Sequence, residues 1–270
     1  MNLIKYILLG IIQGITEPLP ISSSGHIFIL RHIFNTNMFN DLNLEIFLNF
    51  ASFIAIFIIF YKDIVILING FFKYIFDKNN RKKYYNEFKY CMLIIIGSIP
   101  VGIIGILFKD SIETFLNKIW IVGINFIITG ICLILVKNIN GKKMDKDITY
   151  KDAIIVGLMQ TIALLPGLSR SGMVLVGCLL TKLKRENALK YTFMLYFPVS
   201  VATMILGVKD VIEVGLSANL LIYYIISMMF SGLFTFFTYK ILSEIVKKGK
   251  LWKFSIYLFI IGIFVLLFFR

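Results

Sequence analysis

Six stretches of this chain run almost unbroken through apolar residues, at approximately 46–61, 90–108, 119–136, 191–208, 219–239 and 254–269. The hydrocarbon core of a bilayer is about 30 Å thick and takes about 20 residues of helix. The six runs come close to that length. Where they fall short, flanking Tyr, Trp and Lys reach the interface. A further apolar stretch, 64–76, is shorter and ends in charge. It extends the helix before it or lies along the surface. Of the 270 residues, 59% are hydrophobic and 16% charged, with a mean hydropathy of +0.86. A soluble domain has no way to hide that much apolar surface, because its outer layer must face water. The chain is expected to be an all-α integral membrane protein, one membrane domain over 1–270. The first apolar run leads straight into a polar segment without a clear cleavage site, so it is expected to belong to the mature protein.

The net charge of +13 raises the question of nucleic acid. The basic residues sit in short loops between apolar runs, which is the pattern of membrane orientation and anionic lipid contact. No nucleic-acid partner is expected. Cys91, Cys132 and Cys178 lie in apolar context without metal-ligand spacing, and read as buried thiols.

Two regions do not fit a simple span. Each of 2–34 and about 152–180 has an apolar arm of about a dozen residues, a Pro/Gly/Ser break and a second apolar arm. One arm is too short to cross. Two arms and a break suit a re-entrant helix–loop–helix. Such backbone is tolerated at membrane depth where protein or a wet cavity satisfies it.

The two regions match at an offset of 147. Gly10, Gln13 and Ile15 match Gly157, Gln160 and Ile162, and Ser22, Ser24 and Gly25 match Ser169, Ser171 and Gly172. The register continues through Asn40 and Asn187, Leu48 and Leu195, Phe50 and Phe197, Ala55 and Ala202, to Lys62-Asp63 and Lys209-Asp210. Apolar composition produces chance matches of Ile and Leu, but not readily Gln, Ser-x-Ser-Gly and Lys-Asp in one register. An internal repeat is expected, repeat one about 1–136 and repeat two about 148–270.

Charge then orients the chain. With the broken regions re-entrant and the six runs spanning, loops 62–89, 137–151, 181–190 and 240–253 share one side. They hold 7, 5, 4 and 5 Lys and Arg, 21 in all. The other side holds Lys5, Arg31, Lys109, Lys118, Lys209 and Arg270, 6 in all. The positive-inside rule makes the 21 cytoplasmic and puts both termini outside. Each repeat is then one re-entrant hairpin plus three transmembrane helices. Three is odd, so the second repeat is inverted relative to the first. Inverted repeats with interrupted helices place the working site near the midplane, where the two broken tips meet.

The first tip brings Gln13, Glu17, Ser22, Ser23, Ser24, Gly25 and His26. The second brings Gln160, Pro166, Gly167, Ser169, Arg170, Ser171 and Gly172. Plain structural roles exist for each. Glu17 pairs with Arg170, the serines cap helices or bond back to their own backbone, and a lone histidine on an apolar helix is a core residue. Intramembrane charge, however, usually marks function. Arg170 offers a planar fork of donors matched to phosphate. Serine hydroxyls and glycine N–H groups add neutral donors, and helix N-termini favour an anion. A histidine exchanges protons near neutral pH, and a serine beside it is a candidate nucleophile. His32 lacks such company and reads as interfacial. The set describes a phosphate or diphosphate site inside a bilayer, hence a lipid phosphate whose tail stays in the apolar phase. Some of the 26 Phe can line its groove.

At these residues the chain resembles the undecaprenyl-diphosphate phosphatase family, also called the bacitracin-resistance protein family. The resemblance lies in Gln13-Gly14-Ile15-Thr16-Glu17, in Pro20-Ile21-Ser22-Ser23-Ser24-Gly25-His26, and in Pro166-Gly167-Leu168-Ser169-Arg170-Ser171-Gly172. Length and hydrophobic pattern agree across essentially the whole chain. The resemblance implies a multi-pass enzyme of the bacterial plasma membrane. It would hydrolyse undecaprenyl diphosphate to the monophosphate and inorganic phosphate, recycling the lipid carrier for cell-wall synthesis and conferring bacitracin resistance. It implies Mg²⁺ or another divalent cation, and an isoprenyl diphosphate lipid as partner; a homo-oligomer is compatible with it. Carried over, the catalytic set is Glu17, Ser23, His26 and Arg170. Gln13, Ser22, Ser24, Gly25, Ser169, Ser171 and Gly172 hold phosphate. Ser23 attacks the terminal phosphorus, with His26 or Glu17 handling its proton; the rival has His26 itself as nucleophile. Position 13 is Gln where the pattern also allows Glu, so one carboxylate of that pair remains. The metal is then held mostly through the diphosphate, with Glu17 helping. The runner-up function is a transporter, such as a flippase for the monophosphate lipid. It needs the anion held but not attacked.

Overall fold

The computed structural model describes residues 2–34, 42–108, 118–214 and 218–269. Among them the regular structure is helical: α1 (Asn2–Thr16), α2 (Ser23–Phe34), α3 (Leu42–Phe76), α4 (Arg81–Leu107), α5 (Ile119–Leu135), α6 (Tyr150–Ile162), α7 (Arg170–Leu180), α8 (Arg185–Val214), α9 (Ala218–Lys247) and α10 (Trp252–Phe268). The four helices α3, α4, α8 and α9 contain stretches long and apolar enough to cross a membrane. The 17-residue helices α5 and α10 rise about 25 Å, near the lower limit for a span. These six match the six apolar runs. The stretch 64–76 continues α3, which reaches 35 residues. Its far end forms a hairpin with the start of α4, where Tyr74 stacks on Phe88 with centroids 4.1 Å apart.

Burial runs opposite to that of a soluble protein. Large apolar side chains cover the outside, among them Ile58, Ile106, Leu135, Met229, Ile260 and Leu267. Inside lie Ser52, Asn125, Thr129, Ser227, Ser231, Thr235 and Ser255. Lipid solvates the first group, while the second, Ser255 apart, bond between helices, as small and polar residues do in membrane bundles. Thr235 donates to Ser52 Oγ at 2.9 Å, and Ser231 to the Leu48 carbonyl at 3.1 Å, tying α9 to α3. The chain is a helical membrane protein.

Packing crosses between the two halves of the sequence. α1 packs along α9, α6 along α4, α3 against α8, and α5 against α10. The short arms lie close because glycines face their partners. A Cβ on Gly10 would stand 2.2 Å from the Ser227 carbonyl oxygen, and one on Gly157 2.4 Å from the Gly97 carbonyl oxygen.

The basic segments meet at one end. Lys190 pairs with Asp63 at 2.6 Å and Asp145 at 3.4 Å. Lys89 donates to the Lys146 carbonyl at 3.0 Å, and Gly249 lies against the Arg185 guanidinium. Both outer ends of the α6–α7 pair lie here too. Lys143 N donates to Lys182 O at 3.0 Å, and Lys184 N to Lys143 O at 2.8 Å. Lys143 also grips Asp152 at 2.8 Å, and Asp152 closes a capping box with Thr149 at the start of α6. Of the six basic residues expected at the opposite side, Lys109 and Arg270 lie outside the described residues, as does Asn40 of the repeat register. The side chains of Arg31, Lys209 and Asp210 are likewise not described.

Candidate active site

The two helix breaks, 17–22 and 163–169, touch each other. Ser171 Oγ donates to the Leu19 carbonyl at 3.0 Å. A Cβ on Gly25 would lie 3.1 Å from Gly167 Cα, and one on Gly172 3.1 Å from Pro20 Cβ. A side chain at either position would press on the opposite break. At Gly167 glycine also supplies a φ of +86°.

Local chemistry builds each turn. In the first break Ser22 is buried and has φ +70°, a region non-glycine residues seldom enter. Its Oγ caps α2 by accepting from Gly25 N at 3.3 Å. In the second, Ser169 Oγ caps α7 by accepting from Gly172 N at 3.1 Å. Ser169 N rests on Thr129 Oγ1 at 3.4 Å, and the Pro166 carbonyl accepts from Asn125 at 2.6 Å. Asn125 and Thr129 of α5 thus hold the second break in place.

Between the breaks lies a cavity of about 230 Å³ lined by Glu17, Ser22, Ser23, Ser24, Ser169, Arg170 and Ser171, with Asn49, Gln160 and Tyr196 around them. Glu17 is its hub. Oε1 accepts from Arg170 Nη2 at 2.8 Å. Oε2 accepts from the Ser23 hydroxyl and from Gln13 Nε2, the latter at 3.1 Å. Gln13 in turn donates to Asn49 Oδ1 at 2.7 Å. The carboxylate side chain is 8% exposed and the guanidinium side chain 30%. Arg170 lies over the Tyr196 ring, 4.7 Å from its centroid. The pair leaves most of the guanidinium donors for an incoming anion.

Of the expected catalytic residues, Glu17, Ser23 and Arg170 converge and His26 does not. Its Nδ1 lies 2.7 Å from the Ser22 carbonyl and its Nε2 2.6 Å from the Tyr257 hydroxyl. A carbonyl only accepts, so Nδ1 carries the proton and Nε2 accepts from Tyr257. The imidazole stacks parallel to the Tyr257 ring and lines a separate apolar cavity of about 640 Å³ between α1, α2 and α10. Both ring nitrogens are occupied, and neither by a serine hydroxyl.

The expected phosphate ligands divide similarly. Ser24 faces the cavity, and Ser171 reaches it, 3.2 Å from Ser169 Oγ. Gln13 stands behind Glu17 rather than in the cavity wall. The N–H groups of Gly25 and Gly172 are taken by the caps, so these glycines serve close packing. Asn49, Tyr196, Asn125 and Tyr257 were absent from the sequence-derived set. The signal for the first and third was a lone amide inside an apolar span. The two tyrosines had none.

Among the described residues no group of three or more His, Cys, Asp or Glu side chains gathers for a metal. One carboxylate with both oxygens engaged fits an ion that arrives on substrate phosphates, the usual habit of Mg²⁺.

The class so defined is a helical membrane protein whose two helix breaks close around one carboxylate, one guanidinium and a row of hydroxyls. Residues 6–264 match the family model described as bacitracin resistance protein BacA, and the chain belongs to that family. It is 39% identical over 267 residues to undecaprenyl-diphosphatase 1 of Bacillus licheniformis, covering 98% of each chain. It is 38% identical over 266 residues to undecaprenyl-diphosphatase 2 of Bacillus thuringiensis strain Al Hakam, covering 98% of this chain and 97% of that one. Over 269 residues it is 38% identical to the undecaprenyl-diphosphatase of Oceanobacillus iheyensis, covering 99% and 97%.

Proposed function

We propose that this chain is a membrane phosphatase that hydrolyses undecaprenyl diphosphate to undecaprenyl phosphate and inorganic phosphate. The observation that carries the reading is the Ser23–Glu17–Arg170 constellation at the meeting of the two breaks. A flippase needs the anion held. It does not need a hydroxyl aimed at a carboxylate, which is the arrangement of a nucleophile and its base.

Ser23 Oγ attacks the terminal phosphorus and Glu17 takes its proton. Arg170, steadied by Tyr196, turns free donors toward the phosphoryl oxygens and stabilises the charge of the transition state. An arriving diphosphate competes with Glu17 for Arg170, which frees the carboxylate as base. Ser24, Ser169 and Ser171 supply neutral donors. A bound magnesium ion would supply charge neutralisation, and Glu17 is the one carboxylate of the cavity that would help to hold it. His26 holds the Ser22 carbonyl and thereby the strained turn that presents Ser23; it is a positioning residue. The lipid tail remains among apolar helix faces.

The architecture belongs to the same reading: two inverted repeats, about 1–136 and 148–270, each a re-entrant pair plus three spans. Support comes from the reciprocal packing of α1 on α9 and α6 on α4, and from the union of both outer ends of the α6–α7 pair at the basic end. The basic end is cytoplasmic and both termini are outside.

The test is phosphate release from isoprenyl diphosphate by purified protein in detergent with Mg²⁺. Ser23→Ala and Arg170→Ala are each expected to lower turnover by about 10³-fold with the thermal transition preserved. Full activity in both variants overturns the site.

A further inference from the structure

Gln160 is a polar residue of the cavity that this mechanism leaves unused. It is 1% exposed, it lines the same cavity as Glu17, Ser23 and Arg170, and neither Nε2 nor Oε1 has a hydrogen-bond partner. Among the described residues no other side chain leaves two buried polar atoms unpartnered. Leaving such atoms bare is unfavourable, and buried polar groups without protein partners usually meet ordered water or a ligand. The repeat register gives the reason for the vacancy of partners. Gln13, at the equivalent place 147 residues earlier, donates to Glu17 and Asn49. Shifted by 147, those positions are Leu164, which has no polar side-chain atom, and Tyr196, whose hydroxyl makes no bond to Gln160. Gln160 must find its partners in the cavity.

The chemistry of those partners is constrained. Nε2 donates and Oε1 accepts. An ionised phosphate only accepts, so it satisfies Nε2 and leaves Oε1 bare. Oε1 needs a hydrogen-bearing partner, and the reaction consumes one: water. We infer that Gln160 positions the hydrolytic water, Oε1 accepting one of its hydrogens while Nε2 donates to the adjacent phosphate oxygen.

The inference rests on the phosphatase reading with Ser23 as nucleophile. In the first step the Oγ–P bond forms, the bond from phosphorus to the bridging oxygen breaks, and the lipid monophosphate leaves with the proton that Glu17 took from Oγ. In-line displacement puts the departing oxygen opposite Oγ. In the second step water enters on that vacated face. Its oxygen bonds to phosphorus as the P–Oγ bond breaks. One proton stays on the released phosphate, and the other returns through Glu17 to Ser23. Ser23 and Glu17 come from the first break, and Gln160 from the helix that leads into the second.

The experiment is Gln160→Met in purified protein, assayed for kcat and KM on isoprenyl diphosphate and for binding of methylenediphosphonate by thermal shift. Added methanol competes with water for the phosphoryl group, and the ratio of methyl phosphate to inorganic phosphate is read. The expected result is a kcat lower by about 10²-fold, a KM lowered in proportion because only the second step is slowed, unchanged diphosphonate binding, and a raised share of methyl phosphate. Unchanged kcat overturns the inference. So does a raised KM with weakened diphosphonate binding, which would make Gln160 a phosphate ligand. So does lowered turnover at an unchanged product ratio, the mark of a structural role. If Gln160→Met does not fold, Gln160→Glu, of the same shape, is read by the same criteria. Wild-type protein that releases no phosphate overturns the phosphatase reading itself, and the diphosphonate arm still reports on whether position 160 binds phosphate.

Discussion

Ser22 bears the strain of the first break. Its φ of +70° sets a β-carbon in a region that costs a non-glycine residue of order 1–2 kcal/mol. The cap to Gly25 N and the bond from His26 to its carbonyl hold it there. Ser22→Ala keeps the strain and loses the cap, so the detergent-solubilised protein should lose about 1 kcal/mol. Ser22→Gly relieves the strain and should fall near wild type. Alanine as stable as serine in thermal unfolding would remove the cap from the account. His26 makes a second case. As a positioning residue its replacement by Ala lowers turnover without reshaping the pH–rate profile. Loss of a limb near neutral pH in His26→Ala would restore it as a proton-transfer group. Residue types at the two breaks made Glu17, the serines and Arg170 readable as a candidate site, because charge and hydroxyls at a break within apolar sequence have few other uses; the choice of Ser23 among the serines came from the family resemblance. The direction of His26 was not readable. It is decided by Tyr257, 231 residues away, and no local pattern carries that contact.

At the scale of elements, helix existence and length followed from apolar runs and breaks. The six runs and four short arms all appear, and 64–76 settles as an extension of α3. The pairing of helices did not follow. Gly10 and Gly157 read as members of a repeat, yet their use is contact: each lets a short arm lie on a long helix from the other half of the chain. A methyl at Gly157 meets the Gly97 carbonyl at 2.4 Å, whereas a methyl at Gly102 meets nothing within 4 Å. Gly157→Ala should therefore cost about 1–3 kcal/mol and lower activity by shifting the arm that carries Gln160. Gly102→Ala should leave both unchanged. Equal thermal transitions for the two variants would contradict this packing.

At the scale of the whole molecule, the basic segments 62–89, 137–151, 181–190 and 240–253 behave as one surface, joined through Lys190, Lys89, Lys143 and Arg185. Single cysteines placed at Lys78, Lys142 or Lys248 in a cysteine-free background should react with a membrane-impermeant maleimide only after the cytoplasmic side is opened. A cysteine at Phe268 should react from outside in intact cells. Labelling of the three basic positions from outside would reverse the orientation. The sequence by itself determined the solvent of this protein, the number of its long helices and the residue types at its two breaks. Those depend on hydrophobicity, length and local backbone rules, which are written residue by residue. Only the tertiary structure decided that Glu17 stands between Ser23 and Arg170, that His26 turns away to Tyr257, and that Gln160 keeps an amide without partners. Each of those depends on which distant helix supplies the neighbouring side chain, and close packing of the two halves settles that.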